Sequence, residues 1–118
     1  MKKFLAIYLG AMHSDAFKKW NAMDAATRKQ REQAGIEAWM RWGQDHKKSI
    51  VYDGGPLGKT KRADAGGVAD IKNMMGGYVI VEAETHEDAA RMFLNHPHFS
   101  IFPGESVEIM EIMPVPGR

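Results

Sequence analysis

Gly76-Gly77-Tyr78-Val79-Ile80-Val81-Glu82-Ala83-Glu84 is the stretch whose pattern decides the fold. Thr85-His86-Glu87-Asp88 follows it, and His96-Pro97-His98-Phe99 lies a little further on. The order reads as a strand, a capped helix and an abrupt stop. A strand with one wet face alternates apolar and polar residues. Tyr78, Val79, Ile80 and Val81 do not alternate, so both faces of this strand should be covered. The helices of a chain of 118 residues can cover one side of a sheet, so something else must cover the other.

Upstream, residues 3–9 repeat the pattern. Phe4, Ala6 and Tyr8 alternate with Leu5, Ile7 and Leu9, again apolar on both faces, as a central strand would be. Ser14 is placed to cap a short helix through Trp20, with Asp15 at its positive end. Asp24 can cap a longer helix to about Lys48. In its second half Ile36, Trp39, Met40 and Gly43 fall at the spacing of a core-facing stripe. A tryptophan stripe can also line a ligand pocket, but packing is the simpler expectation. Residues 49–53 predict a second strand. From Gly54 to Gly77 the chain is glycine-rich, with irregular strands expected near 57–62 and 68–71. So long a loop is often functional.

Downstream of strand 77–84, Thr85 caps a helix with Asp88 in the capping-box position. Ala89, Ala90, Phe93 and Leu94 form its expected buried face, and Pro97 ends it. Phe99, Ile101 and Phe102 tuck the next loop onto the core. The last strand is expected over 106–113.

The resulting order, β-α-α-β-β-α-β, predicts an α+β fold over one domain, 1–118: a ferredoxin-like antiparallel sheet with helices on one face. The bare face is expected to carry Tyr8, Tyr78, Ile80, Glu82, Glu108, Met110 and Ile112. That surface is too apolar to stay wet. Packing it against a second copy gives a homodimer and a dimeric α+β barrel.

Composition narrows the class. There is no cysteine, which excludes disulfides and thiolate metal sites. The net charge of +1 argues against a general nucleic-acid or anionic-membrane binder. Met1-Lys2-Lys3 followed by an apolar run starts like a signal peptide. The run is short, however, and His13, Asp15, Lys18 and Lys19 follow at once. With no window long enough for a membrane span, a soluble cytoplasmic protein is expected.

Four blocks in order carry a family resemblance. They are Asp53-Gly54-Gly55-Pro56-Leu57-Gly58-Lys59-Thr60, then Met75 to Glu84, then Asn95-His96-Pro97-His98-Phe99, then Val107-Glu108-Ile109-Met110-Glu111. Together they resemble the YCII-related family. The resemblance implies a dimeric α+β barrel. It also implies a histidine–aspartate pair in some members, the histidine lying on the first long helix. Here the corresponding stretch, Ala34 to Trp39, has no histidine.

The residues themselves offer other chemistry. His98, Asp53 and Glu82 are the candidate catalytic acid–base groups: histidine titrates near neutrality, and a carboxylate in an apolar cavity has its pKa raised. Tyr8 and Tyr78 are candidate ligand-binding hydroxyls, able to donate to a developing oxyanion. Lys59, with Lys61 and Arg62, could draw a small anionic or polar ligand, and His96 joins the candidate ligand-binding set. The plainer alternatives are that Asp53 caps the Gly54-Gly55 turn, Glu82 pairs with a base across the dimer, and His98 packs under its loop.

Gly54 to Thr60 fails as a phosphate loop, because Asp53 stands where the first glycine belongs and no helix follows. His96-Pro97-His98 is a possible chelate that lacks a third ligand, so no metal is expected. These readings predict a small-molecule site between the sheet and loop 54–76, with proton transfer without an organic cofactor as its candidate chemistry. The alternative is a non-catalytic dimeric module that binds a ligand or partner in the same cavity.

Overall fold

A computed structural model describes residues 1–117. The chain runs β1 (Lys2–Leu9), α1 (Asp15–Ala22), α2 (Ala25–Asp45), β2 (Ile50–Pro56), β3 (Thr60–Asp64), β4 (Gly67–Ile71), β5 (Met75–Ala83), α3 (His86–Arg91), α4 (Pro97–Ser100) and β6 (Ser106–Glu111). Strands β2, β5, β1 and β6 form one antiparallel sheet in that order, and β3 pairs with β4 as a separate hairpin. The two strands that are apolar on both faces, β1 and β5, are the central pair. This is the ferredoxin-like α+β architecture.

Register decides which residues face the helices. Phe4 lies opposite Val81, Ala6 opposite Val79 and Tyr8 opposite Gly77. On the other flank Ala6 lies opposite Ile109 and Tyr8 opposite Val107. Phe4, Ala6, Tyr8, Val79, Val81 and Ala83 are buried with Trp42, Ala89 and Phe93 in one core. The opposite face carries Leu5, Ile7 and Leu9 with their neighbours Ile80, Tyr78, Met110, Glu108 and Ser106. Most of the expected bare-face residues therefore lie there, but Tyr8 does not. Its strand is displaced by one position from the reading above, and a one-residue slip moves a side chain to the other face.

Two of the three expected caps form, whereas Asp24 precedes α2 without a side-chain capping bond to its first turn. Ser14 Oγ accepts from the Phe17 N–H at 3.1 Å, and Thr85 Oγ1 from the Asp88 N–H at 3.0 Å. Helix α2 ends at Asp45, short of Lys48, and β6 ends at Glu111. Helix α3 ends earlier than Pro97 requires, and Pro97 instead opens α4, where its missing N–H costs nothing. Leu94, expected in the core, is exposed because the chain turns at Asn95, whose φ of 58° is left-handed.

The stripe on α2 is also displaced. Gly35 and Trp42 are its buried residues, whereas Ile36 and Met40 are exposed. Gly35 is required there, since a Cβ would run into the ring of Phe102. Trp42 Nε1 donates to the Met92 carbonyl at 2.8 Å, which satisfies its buried N–H.

The whole is thin and spread, 55 × 43 × 19 Å with a radius of gyration of 16.3 Å. A compact chain of this length would have about 13.5 Å. One sheet and one helix layer account for the thickness. The β3–β4 hairpin adds to the spread: its strands are exposed apart from Thr60 and Ile71. Among the described residues no helix is long and apolar enough to cross a membrane.

Candidate functional site

A cavity of about 660 Å³ opens between α2 and the sheet. Its cause is a shortage of side chains. Gly55, Gly76 and Gly77 sit where β2 and β5 pass beneath the helix, so a bare patch of backbone faces Trp39, Met40 and Ile36. Tyr8, Phe102 and Val79 complete the apolar wall, and His98 and Asp53 bring polar groups to it. The cavity is thus on the helix-covered side of the sheet, and only the two ends of segment 54–76 line it.

Strand β2 reaches this place by two irregularities. Ile50 pairs with Val81, Tyr52 with Ile80 and Gly55 with Tyr78, so one extra residue enters β2 at each step. Such bulges re-aim side chains next to sites. Gly54 sits in the second with φ 61°, and a Cβ there would strike the Tyr78 carbonyl. Asp53, just before it, borders the cavity while remaining exposed.

His98 is held by its own backbone neighbourhood. Its Nε2 lies 2.7 Å from the Leu9 carbonyl oxygen, which can only accept, so Nε2 carries the proton and donates. Burial lowers the His98 pKa, and the bond to Leu9 opposes that only in part. The ring is therefore neutral at neutral pH, with a lone pair on Nδ1. Among the described residues Nδ1 has no hydrogen-bond partner. The Tyr8 ring lies 5.3 Å from that of His98 between centroids. Burial pushes the Tyr8 pKa well above its ordinary value, so it remains a hydroxyl, a donor and not a base.

His96 does not line the cavity. It is fully buried behind Tyr8, with Nε2 3.4 Å from the Tyr8 hydroxyl and Nδ1 accepting the His98 N–H at 3.0 Å. Both its nitrogens are thereby engaged, which leaves His96-Pro97-His98 no chelating pair. Its pKa is pushed down to about 3, by burial first and then by His98 and His46.

The remaining candidates lie apart. Glu82 stands opposite Lys3 on the bare face of the sheet, on the other side of the layer from the cavity. Lys59 lines a separate shallow groove with Asn73 and Met75. Tyr78 borders the cavity, but it pairs with Ile7 on the bare face and its ring packs near Tyr52 at 6.2 Å. His98, Asp53 and Tyr8 thus come together around one space, and Glu82, Lys59 and His96 do not.

Trp39 and Phe102, expected from the sequence to pack, both form cavity wall. Trp39 does pack, against Tyr8 at 4.9 Å and Phe102 at 6.1 Å, and its other side is open. The usable signal was the coincidence of a large apolar stripe on α2 with a glycine run in the strands below it.

Fold and sequence agree on what class this is. The YCII-related domain matches residues 16–115, and the chain belongs to that family. No curated protein matches it. Among solved structures it is similar to 5-chloro-2-hydroxyhydroquinone dehydrochlorinase from Burkholderia phenoliruptrix AC1100, in complex with 2,5-dihydroxybenzoquinone. The TM-score is 0.53 and the identity 20%, over 94% of this chain and 93% of that one.

Proposed function

We propose that the protein is a proton-transfer enzyme without an organic cofactor, acting on a small, mostly apolar cyclic molecule with an acidic C–H beside a carbonyl. The observation that carries this reading is a neutral His98 with its Nε2–H fixed on Leu9, bordering the same apolar cavity as the unionised hydroxyl of Tyr8. His98 Nδ1 takes the C–H proton, and the electron pair of that bond moves into the enolate. The enolate oxygen accepts the Tyr8 O–H. Returning the proton to a different carbon completes an isomerisation, with no oxidant and no net change of atoms. Base and oxyanion donor are each worth on the order of 10²-fold or more. Asp53, at the exposed rim, receives a hydroxyl or N–H of the ligand.

The cavity wall favours such a ligand. Asp53 is its only formally charged lining group among the described residues, and Lys59 lies elsewhere, so a neutral ring fits better than a small anion. The structurally similar dehydrochlorinase, whose structure holds 2,5-dihydroxybenzoquinone, supports a small oxygenated ring as the ligand type. The protein acts as a homodimer joined through the bare sheet face, in the cytoplasm. That face is apolar at Leu5, Ile7, Ile80 and Met110, and the thinness of the subunit leaves it without a covering layer.

A second reading, a dimeric module that binds a ligand or partner in the same cavity without chemistry, is favoured by one observation: no hydrogen bond joins Asp53 to His98 among the described residues. Deuterium exchange into small cyclic ketones, 2-tetralone among them, separates the two. The enzyme reading expects exchange above the buffer rate that His98→Gln reduces by about 10²-fold or more. Binding with no exchange above buffer, or equal exchange in His98→Gln, supports the module.

A further inference from the structure

We infer that His96 is a positioning residue: it caps α4 through Nδ1, so its proton must sit on Nε2, where it occupies the acceptor side of the Tyr8 hydroxyl and turns the Tyr8 O–H toward the cavity. The inference rests on the proposed role of Tyr8 but is tested separately from it.

Proton counting fixes the tautomer. The His98 backbone N–H points at His96 Nδ1 across 3.0 Å. An N–H donates, so Nδ1 must hold a lone pair. A neutral imidazole carries one proton, which leaves it on Nε2. Two lone pairs would require an imidazolate, and two protons would set N–H against N–H at the cap. Nε2 faces Tyr8 Oη at 3.4 Å, a long bond whose effect is orientation more than energy. Because Nε2–H donates, the phenol oxygen accepts. The hydroxyl hydrogen then has no acceptor within the protein among the described residues, and Tyr8 borders the cavity. Burial of both residues keeps water from competing for the same oxygen.

The surroundings hold the ring in this pose. His96 is packed by Trp39 at 4.5 Å, Trp42 at 4.8 Å and Phe93 at 5.8 Å. None of these side chains offers it a competing acceptor, since indole N–H groups only donate and phenylalanine has no polar atom; Trp42 Nε1 itself donates to Met92. A helix of four residues has little stability of its own, so its cap matters to where His98 sits. One side chain thus sets both candidate groups: His98 through the cap and Tyr8 through the hydroxyl.

Two substitutions separate those tasks. Asn places its amide oxygen near the Nδ1 position and is a strong cap, but it does not reach Tyr8. Gln places an N–H near the Nε2 position but does not cap in the same way. The full chain is examined by long-range nitrogen–proton NMR of the imidazoles. In parallel, 2-tetralone labelled with ¹³C at its carbonyl reports the hydrogen bond it receives. The expected results are an Nε2–H tautomer for His96 and a downfield carbonyl shift on binding. That shift is lost in Tyr8→Phe, largely lost in His96→Asn and retained in His96→Gln. An Nδ1–H tautomer for His96, or an unchanged shift in a folded His96→Asn, overturns the inference. If 2-tetralone does not bind at all, the substrate reading fails, and the tautomer alone decides the role of His96.

Discussion

His98, the proposed base, depends for its readiness on its surroundings. Burial lowers its pKa below the ordinary value of 6.5, so exchange activity should stay on its plateau at neutral pH and decline only below about pH 6.5. A pH–rate profile with its acid limb above that value would contradict the assignment. Tyr8→Phe keeps the ring but removes the donor, and should lower exchange by about 10²-fold with little change in probe affinity. His96 contributes a separate acid sensitivity. Its folded pKa of about 3 lies below the unfolded value of 6.5. Between these limits the unfolded chain binds the extra proton, so stability is fullest above pH 6.5 and falls as pH drops toward 3. Thermal melts of the wild type should show that decline, and His96→Gln, which has nothing to titrate there, should show a shallower one. Equal slopes would remove His96 as the cause. At this scale His98 and Asp53, which border the cavity, stood out because imidazole and carboxylate are side chains able to move protons. Tyr8 was misplaced because both faces of β1 are apolar, and the pattern then holds no information on which face is which.

Among the elements, α2 and β2 make the site, and each does so by departing from regularity. Gly54 is the hinge of the second bulge in β2. Gly54→Ala adds a Cβ at φ 61° against the Tyr78 carbonyl and should cost about 2 kcal/mol or more in urea denaturation. A neutral substitution would mean that β2 does not take this path. The elements themselves were readable from periodicity and caps: Ser14 and Thr85 cap as their positions suggest, and β1 and β5 are the central strands. The rotation of α2 was not. Ile36, Trp39 and Met40 look like a core stripe because apolar spacing reports which residues leave water, not whether the space opposite them is filled. The filling is decided by Gly55, Gly76 and Gly77, remote in sequence from α2.

For the molecule as a whole, the proposed dimer joins through the bare sheet face. Leu5, Ile80 and Met110 lie side by side at its middle. Sedimentation should give twice the chain mass, and Ile80→Lys, which sets a charge in the centre of the contact, should shift the protein to single chains while His98 and Tyr8 keep their cavity. A wild-type monomer would remove the dimer. That the face is apolar was legible from strands that are apolar front and back. The location of the cavity was not. The site was expected between the sheet and loop 54–76 with Glu82 among its residues, whereas the open space lies under α2 and only the ends of that loop border it.

The most direct test of the proposed function is a crystal structure with 2-tetralone bound. The carbonyl oxygen is expected within hydrogen-bond distance of Tyr8 Oη and an adjacent C–H against His98 Nδ1, beneath Trp39. Density for the probe on the bare sheet face, or in the cavity with its oxygen turned away from Tyr8, would contradict it.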